Sequence, residues 1–207
     1  MSETVIQVTS LGKRIKGKTI LEDISFEINK GDCVALIGPN GAGKTVLMSC
    51  ILGDKKPSSG QVLIDGKAGK AKNKIAVLLQ ENTIPNSLKV EELIAFFQSI
   101  SDNPLTNQEV QDLLQFKEDQ YQQFADKLSG GQRRLLAFVL CLIDSPKILF
   151  LDEPTAGMDT STRQRFWEIV NNLKKAGTTI LYSSHYIEEV EHTADRILVL
   201  HRGKLIR

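Results

Sequence analysis

Residues 33–52 read CVALIGPNGAGKTVLMSCIL, and the three parts of this stretch have different structural preferences. The first part, CVALI (33–37), is a continuous apolar run of the length that suits a strand buried on both faces. The last part, TVLMSCIL (45–52), is compatible with a helix. Between them, GPNGAGKT (38–45) matches the pattern G-x-x-x-x-G-K-S/T. The stretch therefore predicts a strand, a glycine-rich loop and a helix in direct succession.

The glycine-rich loop has the chemistry of a phosphate site. Its glycines let backbone N–H groups wrap around phosphates, Lys44 can neutralise the outer phosphates, and the Thr45 hydroxyl can coordinate Mg²⁺. A chance turn is the alternative, and the flanking strand and helix disfavour it because the mechanism needs that context. The residues expected to contact the phosphates are Gly38, Pro39, Asn40, Gly41, Ala42, Gly43, Lys44, Thr45 and Val46.

A second apolar strand, in KILFLDE (147–153), ends in two carboxylates. In a parallel sheet this strand would deliver Asp152 to the phosphate end, where a carboxylate can hold the shell of a Mg²⁺ ion. Glu153 follows by one residue, and a carboxylate there can polarise an attacking water. An acidic cap at a strand end is the alternative for this stretch alone, but the phosphate loop favours the catalytic interpretation.

The stretch LSGGQ (128–132) precedes a long apolar run and makes a poor helix interior, since each glycine costs about 1 kcal/mol against alanine in a helix. A serine hydroxyl, approachable glycine amides and a helix N-terminus together make an anion-binding corner. We therefore expect Ser129, Gly130, Gly131 and Gln132 to contact a phosphate.

Further short apolar runs recur along the chain and indicate a parallel sheet covered by helices. They are IAVLL (75–79), ILFL (148–151), TILY (179–182) and ILVL (197–200). Helical patterns lie between several of them. One such pattern spans residues 161–177 and places on one face Phe166, Ile169, Val170 and Leu173. These patterns predict an α/β domain.

Two segments depart from this pattern. ISFEI (24–28) alternates apolar and polar residues, which is typical of an antiparallel sheet with one buried face. Residues 89–127 contain no convincing strand and several helix-like pieces. We therefore predict a core at residues 1–88 and 146–207, which includes the antiparallel part, and a helical subdomain at about 89–145, which includes LSGGQ.

The composition argues against several other functions. The 26 Lys+Arg nearly balance the 25 Asp+Glu, so no strong field indicates nucleic acid or an anionic membrane surface as a partner. The one local basic excess, residues 66–74, is interpreted as a solvated loop. The cysteines Cys33, Cys50 and Cys141 share no metal-like spacing and indicate buried thiols in a reducing compartment.

The chain also lacks the pattern of a membrane-spanning protein. Its N-terminus, MSETVIQVTS, has neither the basic nor the apolar region of a signal peptide. The longest apolar run, LLAFVLCLI (135–143), is much shorter than the roughly 20 residues of a membrane-spanning helix. We therefore expect a cytoplasmic protein that does not cross a bilayer by itself.

Together, these motifs resemble those of the ATP-binding cassette (ABC) ATPases. GPNGAGKT is similar to their Walker A motif, LSGGQ to their signature motif, and ILFLDEP (148–154) to their Walker B motif with its catalytic glutamate. The resemblance extends from about Val5 to Ile206. It implies an α/β P-loop NTPase fold with a mainly parallel core sheet, an N-terminal antiparallel β subdomain and an inserted helical subdomain.

The resemblance implies ATP and Mg²⁺ as cofactors and assigns further residues. Gln80 matches the Q-loop glutamine and His185 the switch histidine, so Glu153, His185, Lys44 and Gln80 would be catalytic. The Mg²⁺ ion would be held by Thr45, Gln80 and Asp152. Taken alone, His185 could be a polar strand-end residue and Gln80 an ordinary loop amide.

The D-loop of the family would lie at AGMD (156–159). Its last residue, Asp159, fits a helix N-cap at least as well as a contact between subunits. In this family the signature motif binds the γ-phosphate of ATP held by another subunit. Two nucleotide-binding subunits, as a homodimer or a heterodimer, would therefore face head to tail around two ATP molecules.

The resemblance also implies a transmembrane permease subunit, which would hold this chain on the inner face of the cell membrane. The segment after Gln80 is similar to the one through which transport members contact that subunit. Its loop residues Ile84, Pro85 and Leu88 are better candidates for the contact than the aromatics. Those aromatics, Phe96 and Phe97, fit the core of the helical subdomain.

With its short spacer between Gln80 and Leu128, the chain is most similar to ATPase subunits of bacterial exporters of drugs or antibiotic peptides. A soluble ABC ATPase that acts on a protein or a cofactor-assembly partner is the alternative. A purely nucleotide-binding regulator is a third possibility, which the presence of Glu153 and His185 disfavours.

One position departs from the family pattern. ABC ATPases usually place an aromatic side chain near the N-terminus to stack on adenine, and LGKRIKGKTIL (11–21) places Ile15 there. Isoleucine supplies only apolar contact, so we expect phosphate and Mg²⁺ contacts to dominate binding and discrimination between ATP and GTP to be weak.

Overall fold

The computed structural model describes residues 3–67, 75–80, 84–85 and 87–206. Most of the basic stretch 66–74 lies outside the described residues, so its interpretation as a solvated loop stays a prediction. The strands are β1 (Thr4–Ile15), β2 (Lys18–Asn29), β3 (Cys33–Ile37), β4 (Ser59–Ile64), β5 (Ile75–Leu78), β6 (Ile148–Leu151), β7 (Thr179–Ser184), β8 (Arg196–His201) and β9 (Lys204–Ile206). The α-helices are α1 (Lys44–Ile51), α2 (Val90–Ser99), α3 (Asn107–Leu114), α4 (Glu118–Gln122), α5 (Gly130–Leu142), α6 (Thr160–Lys175) and α7 (Ile187–Thr193).

The core sheet has the strand order β5-β6-β7-β3-β8-β9. Every neighbouring pair is parallel except β8 and β9, where the short edge strand runs antiparallel. The mainly parallel core sheet expected from the short apolar runs is therefore confirmed.

Helices and a second sheet cover the two faces of this core sheet. Along β6, Ile148 and Phe150 pack into a cluster with α1 and the N-terminal strands. Leu149 and Leu151 pack into another cluster with α5 and α6. Because side chains alternate along a strand, burial on both faces requires a continuous apolar run, and the sequence has one here.

Strand β8 departs from this pattern. Its run ILVL (197–200) predicts burial on both faces, yet Ile197 is 50% exposed while Leu200 is buried. The strand lies next to the edge strand β9, where only part of its length is covered.

The antiparallel sheet is formed by β2, β1 and β4 in that order. On β2 the side chains of Ile24, Phe26 and Ile28 are buried and the residues between them are exposed. The alternation in the sequence therefore predicted this sheet and its buried face correctly.

The segment 89–127 contains helices α2, α3 and α4, and within its described residues there is no named strand. In α3 the Thr106 side chain caps the helix, with its hydroxyl accepting from the Glu109 N–H and the Glu109 carboxylate accepting from the Thr106 N–H. Helix α5 packs on the core, where the rings of Phe138 and Phe166 lie 4.3 Å apart. The proposed domain boundaries stay a prediction.

No helix in the described part of the chain is both long enough and apolar enough to cross a membrane. Among the described residues the three cysteines are free: Cys33 and Cys50 are buried and Cys141 is partly buried. Burial raises the pKa of the Cys33 thiol to about 12 and that of Cys141 to about 11.

Strand order determines where the polar loop residues lie. Strands β5, β6, β7 and β3 are neighbours and parallel, so their carboxyl ends lie at one edge of the sheet. Gln80 follows β5, Asp152 and Glu153 follow β6, His185 follows β7, and the glycine-rich loop follows β3. In open α/β sheets this edge is where ligands bind.

Candidate active site

The loop between β3 and α1 forms one wall of an open cleft of about 520 Å³. Gly43 caps α1 with a φ of 108°, a backbone conformation that favours glycine. At Gly38 a Cβ atom would lie 2.1 Å from the Leu200 carbonyl oxygen, so only glycine lets the loop pass this close to β8. Residues 39–46 line the cleft. No side chain in the described part of the chain caps the N-terminus of α1, so its first N–H groups are available to an anion.

The rest of the cleft is lined by residues from other elements. They are Ile20, Gln80, Glu153, Ala156 and His185. The structure therefore brings eleven residues of the proposed site around one space: residues 39–46 with Gln80, Glu153 and His185. Gly38 and Asp152 are not among the lining residues.

A chain of charged contacts crosses the cleft. The Lys44 ammonium donates to the Gly38 carbonyl at 2.7 Å and lies 3.2 Å from Glu153 Oε1. The other carboxylate oxygen of Glu153, Oε2, lies 2.6 Å from His185 Nδ1. Since a carboxylate accepts, Nδ1 carries the hydrogen, and Nε2 is the ring nitrogen that does not contact Glu153. Lys44 and Glu153 are buried at 7% and 8% exposure, so water screens their interaction weakly.

The Ser183 hydroxyl fixes both the Asp152 side chain and the Glu153 backbone. Asp152 is buried, and its Oδ1 accepts a 2.5 Å hydrogen bond from the Ser183 hydroxyl. The same hydroxyl oxygen accepts from the Glu153 N–H at 2.9 Å. Glu153 has a φ of 46°, which is sparsely populated by residues other than glycine. A strained backbone of this kind persists only where its surroundings hold it.

The oxygen donors near the cleft suit a hard divalent cation. Thr45 and Gln80 line the cleft and offer a hydroxyl and an amide oxygen, and Asp152 adds a buried carboxylate. Within the described residues no group of three or more His, Cys, Asp or Glu side chains could hold a metal alone. This donor set fits Mg²⁺, which takes oxygen ligands and commonly combines one or two protein groups with phosphates and water.

The signature residues lie away from this cleft. Ser129 caps α5: its hydroxyl accepts from the Gln132 N–H at 3.2 Å, and the Gln132 side chain accepts from the Ser129 N–H at 3.1 Å. At Gly130 a Cβ atom would meet open space, whereas at Gly131 it would lie 3.1 Å from Asp159 Oδ2. Among the described residues that line the cleft, none belongs to LSGGQ.

Asp159 is the N-cap of α6, which confirms one of its two expected roles. Its carboxylate accepts from the Ser161 hydroxyl and from the N–H and hydroxyl of Thr162. These hydrogen bonds, that of Ser161 first, hold the pKa of Asp159 well below its usual range.

Sequence reasoning missed a group of side chains behind His185. The Tyr186 and His185 rings are in contact, with their centres 4.0 Å apart and their planes tilted by 38°, and the Arg163 guanidinium lies 5.1 Å from the centre of the Tyr186 ring. Buried Glu189 accepts from the hydroxyls of Thr155 at 2.6 Å and Ser184 at 2.9 Å. None of these residues belongs to a motif with a recognisable spacing, so no sequence signal was available.

The apolar residue at the mouth of the cleft was also missed. Ile20, on β2, lines the cleft. Ile15 lies at the end of β1, opposite Lys18 and before the turn at Lys16 and Gly17, and is only partly exposed. A role for Ile15 next to adenine stays a prediction.

A family model described as ABC transporter matches residues 21–156, more than half of the chain. Nod factor export ATP-binding protein I of Ralstonia nicotianae is 33% identical over 216 residues, which cover 99% of this chain and 67% of that protein. The linearmycin resistance ATP-binding protein LnrL of Bacillus subtilis is 33% identical over 213 residues, which cover 98% of this chain and 68% of that protein. The chain thus spans about two thirds of these relatives.

Solved structures share the fold. The ATP-binding subunit of an ABC transporter superposes with a TM-score of 0.84 at 26% identity, over 97% of this chain and 88% of that one. The cassette MJ0796, solved as a dimer in a post-hydrolysis state with ADP and phosphate, superposes with a TM-score of 0.83 at 21% identity. That match covers 98% of this chain and 97% of the cassette.

Proposed function

Since the chain belongs to the ABC transporter family as an ATP-binding subunit that hydrolyses ATP, we propose that it drives export through a separate transmembrane subunit. A second nucleotide-binding subunit, in the simplest case a copy of this chain, would complete each ATP site. The names of the relatives support export as the direction of transport, because they describe export of a Nod factor and resistance to linearmycin.

The observation that carries the catalytic proposal is the contact chain Lys44, Glu153 and His185 beside the phosphate loop. ATP phosphates are stronger partners for the Lys44 ammonium than one carboxylate is, so ATP would draw Lys44 from Glu153. Glu153 would then act as general base toward the attacking water. His185 orients that carboxylate through Nδ1–H and has Nε2 left for the terminal phosphate or its water.

Mg²⁺ would accompany ATP at the oxygens of Thr45, Gln80 and Asp152. When bound, the ion would neutralise charge on the phosphates. The chain's own contribution is to position these oxygens, and Ser183 fixes Asp152 for that purpose.

The second subunit is proposed because the signature motif lies away from its own cleft. Ser129 and Gly130 lie at the N-terminus of α5, and around Gly130 there is open space. An anion could approach Gly130. It would not be the ATP in this chain's own cleft, because the loop at 38–46 would bind the phosphates of that ATP. A head-to-tail partner would bring its own ATP to Ser129, Gly130, Gly131 and Gln132.

The membrane subunit would dock beside Gln80. An apolar groove of about 190 Å³ lies there, lined by Val77, Ile84, Pro85, Leu93, Phe97, Ala137, Leu140 and Cys141. An apolar helical segment of a transmembrane subunit fits this groove and would hold the chain on the inner face of the membrane. Of the two aromatics, Phe97 packs on the core and lines the groove, whereas Phe96 is 54% exposed.

Co-purification tests the docking proposal. The tagged chain is isolated from detergent-solubilised membranes of its source, and the partner is identified by mass spectrometry as a multi-helix membrane protein. Pro85 is exposed in the groove, so Pro85→Asp should abolish co-purification while ATP hydrolysis is retained. Ile100→Asp is the matched control, since Ile100 is 65% exposed and lies outside the groove.

Loss of the membrane protein in both variants, or in neither, would contradict docking at this groove. If no membrane protein co-purifies with the wild-type chain, the chain acts as a soluble ABC ATPase on another partner.

A further inference from the structure

Arg134, two residues after the signature motif, donates hydrogen bonds to five backbone carbonyls. Its Nε donates to Pro154 at 3.0 Å. Its Nη1 donates to Leu79 at 2.5 Å and to Gln80 at 2.9 Å. Its Nη2 donates to Asp152 at 3.0 Å and to Glu153 at 3.3 Å. A guanidinium has five N–H donors, so each of them has an acceptor here.

These carbonyls belong to the two segments that carry the catalytic side chains. Leu79 and Gln80 follow β5, and the other three residues follow β6, the neighbouring strand. The last backbone rung between the two segments runs from the Asp152 N–H to the Leu78 carbonyl. Among the described residues, no further backbone–backbone hydrogen bond joins residues 79–80 to residues 152–154. Arg134 therefore continues the connection between the two segments beyond the sheet.

Arg134 and Ser183 together hold the unusual backbone of Glu153. Glu153 has a φ of 46°, and its N–H is fixed by the Ser183 hydroxyl. Arg134 holds the other side of the same residue, at the carbonyls of Glu153 and Pro154. The unusual backbone that directs this carboxylate into the cleft is thus held from both sides.

Arg134 also lies on α5, whose first turn is the signature motif. We propose that Arg134 is a positioning residue for ATP hydrolysis, which fixes Gln80 and Glu153 relative to each other and ties both to the signature helix. The inference rests on the proposed roles of Gln80 and Glu153. Arg134 itself does not line the phosphate cleft, so it acts through these two residues.

Lysine cannot replace this arrangement. Its ammonium has three donors and no planar fork, so at least two of the five carbonyls lose their partner. We expect Arg134→Lys to lower kcat about 10-fold and Arg134→Met about 100-fold, since a displacement of about 1 Å can cost that much. KM for ATP should change by less than about threefold, because Arg134 does not line the cleft in which the loop at 38–46 would bind ATP.

The experiment measures steady-state ATP hydrolysis and thermal unfolding of the full chain. Arg165→Met is the matched control: Arg165 also donates to two backbone carbonyls, those of Asp112 and Leu113, but touches no residue of the candidate site. The expected result is a kcat loss in both Arg134 variants and wild-type kcat in Arg165→Met, all measured well below the unfolding temperature. If Arg134→Met does not fold, Arg134→Lys carries the test.

A double variant shows whether Arg134 acts through Glu153. In the Glu153→Gln background, adding Arg134→Met should lower single-turnover hydrolysis by much less than about 100-fold, because the Glu153 carboxylate is already lost and only the effect through Gln80 remains. Wild-type kcat in the Arg134 variants, an equal kcat loss in Arg165→Met, or a full further loss in the double variant would overturn the inference. If Glu153→Gln alone keeps wild-type hydrolysis, the assignment of Glu153 as the base is wrong.

Discussion

At the scale of single residues, the site depends on how a few side chains share their hydrogen-bonding groups. Ser183 uses one hydroxyl for both Asp152 and Glu153, and the Glu153 carboxylate contacts both Lys44 and His185. These contacts hold Asp152 and the Glu153 carboxylate beside the loop at 38–46. ATP would replace only the Lys44 contact, so Ser183 and His185 would keep both carboxylates oriented, and preorganisation of this kind lowers the cost of reaching the transition state.

The adenine end of the cleft is less well defined, and one substitution tests it. Ile15→Tyr places a ring at the position where the family pattern has an aromatic residue; Ile15 itself is not among the described residues that line the cleft. We expect ATP binding to strengthen by about 1 kcal/mol, roughly fivefold, because stacking on a base contributes roughly 1 to 3 kcal/mol. The rate of hydrolysis at saturating ATP should stay unchanged.

Titration of the purified chain with ATP and with GTP measures this effect. Lys30→Tyr, at an exposed position outside the cleft, is the control for a general effect of tyrosine. A strong preference of the wild-type chain for ATP, or no gain from Ile15→Tyr, would show that adenine is held by other means, such as an aromatic side chain of a partner.

At the scale of secondary structure, the sequence predicted those elements whose burial has a clear period. The runs at 33–37 and 148–151 are strands buried on both faces, and ISFEI is a half-buried antiparallel strand. Apolar runs of this kind reflect burial directly. At β8 the same pattern was misleading, because Ile197 is half exposed near the sheet edge.

The candidate site was predictable only where a motif encodes it. Lys44, Glu153 and His185 follow from the motif and the strand ends, and the structure brings them into contact. Ser183 and Arg134 contact Glu153 from 30 and 19 residues away in the sequence. Contacts that depend on strand order and helix packing leave no local pattern in the sequence.

The buried thiol of Cys33 on β3 should make the stability of the fold depend on pH. Cys33 is fully buried there, and desolvation raises its pKa from 9.0 to about 12. A raised folded-state pKa stabilises the fold below pH 9, and this contribution is lost as pH rises from 9 toward 12. Between pH 8 and pH 10 we expect the thiol to remove about 1 kcal/mol from the free energy of unfolding.

Urea unfolding of the wild-type chain and of Cys33→Ala at both pH values measures this term. The variant is expected to be less stable at pH 8 because it lacks buried volume, but its stability should fall less by pH 10. Equal decreases in the two proteins would contradict the pKa of Cys33. Cys141 is present in both proteins, so its contribution to the pH dependence of the free energy of unfolding cancels in the comparison.

At the scale of the whole molecule, the proposed function requires two separate halves of a phosphate site in one chain. The loop at 38–46 lines the cleft, whereas Ser129 and its neighbours lie at the start of α5 and line no part of it. In a head-to-tail pair of subunits, each of the two ATP sites would combine the loop of one subunit with the signature motif of the other. ATP would therefore hold the two subunits together.

Ser129→Arg separates the two halves. The change removes the cap of α5, which costs about 1 kcal/mol of stability, and places a bulky cation where a partner's phosphate would lie. ATP binding by the monomer, measured by fluorescence titration, should stay within about twofold of wild type, because the phosphate loop is intact. Loss of nucleotide affinity in the monomer would place LSGGQ in its own cleft.

The most direct measurement is light scattering of Glu153→Gln with saturating ATP and Mg²⁺. The amide preserves the shape of the side chain but removes the basic oxygen, so hydrolysis should fall by about 100-fold or more while ATP still binds. We expect a particle of two copies with ATP and one copy with ADP, and only one copy when Ser129→Arg is added. A monomer in saturating ATP and Mg²⁺ would show that the signature motif of one subunit does not complete the ATP site of another.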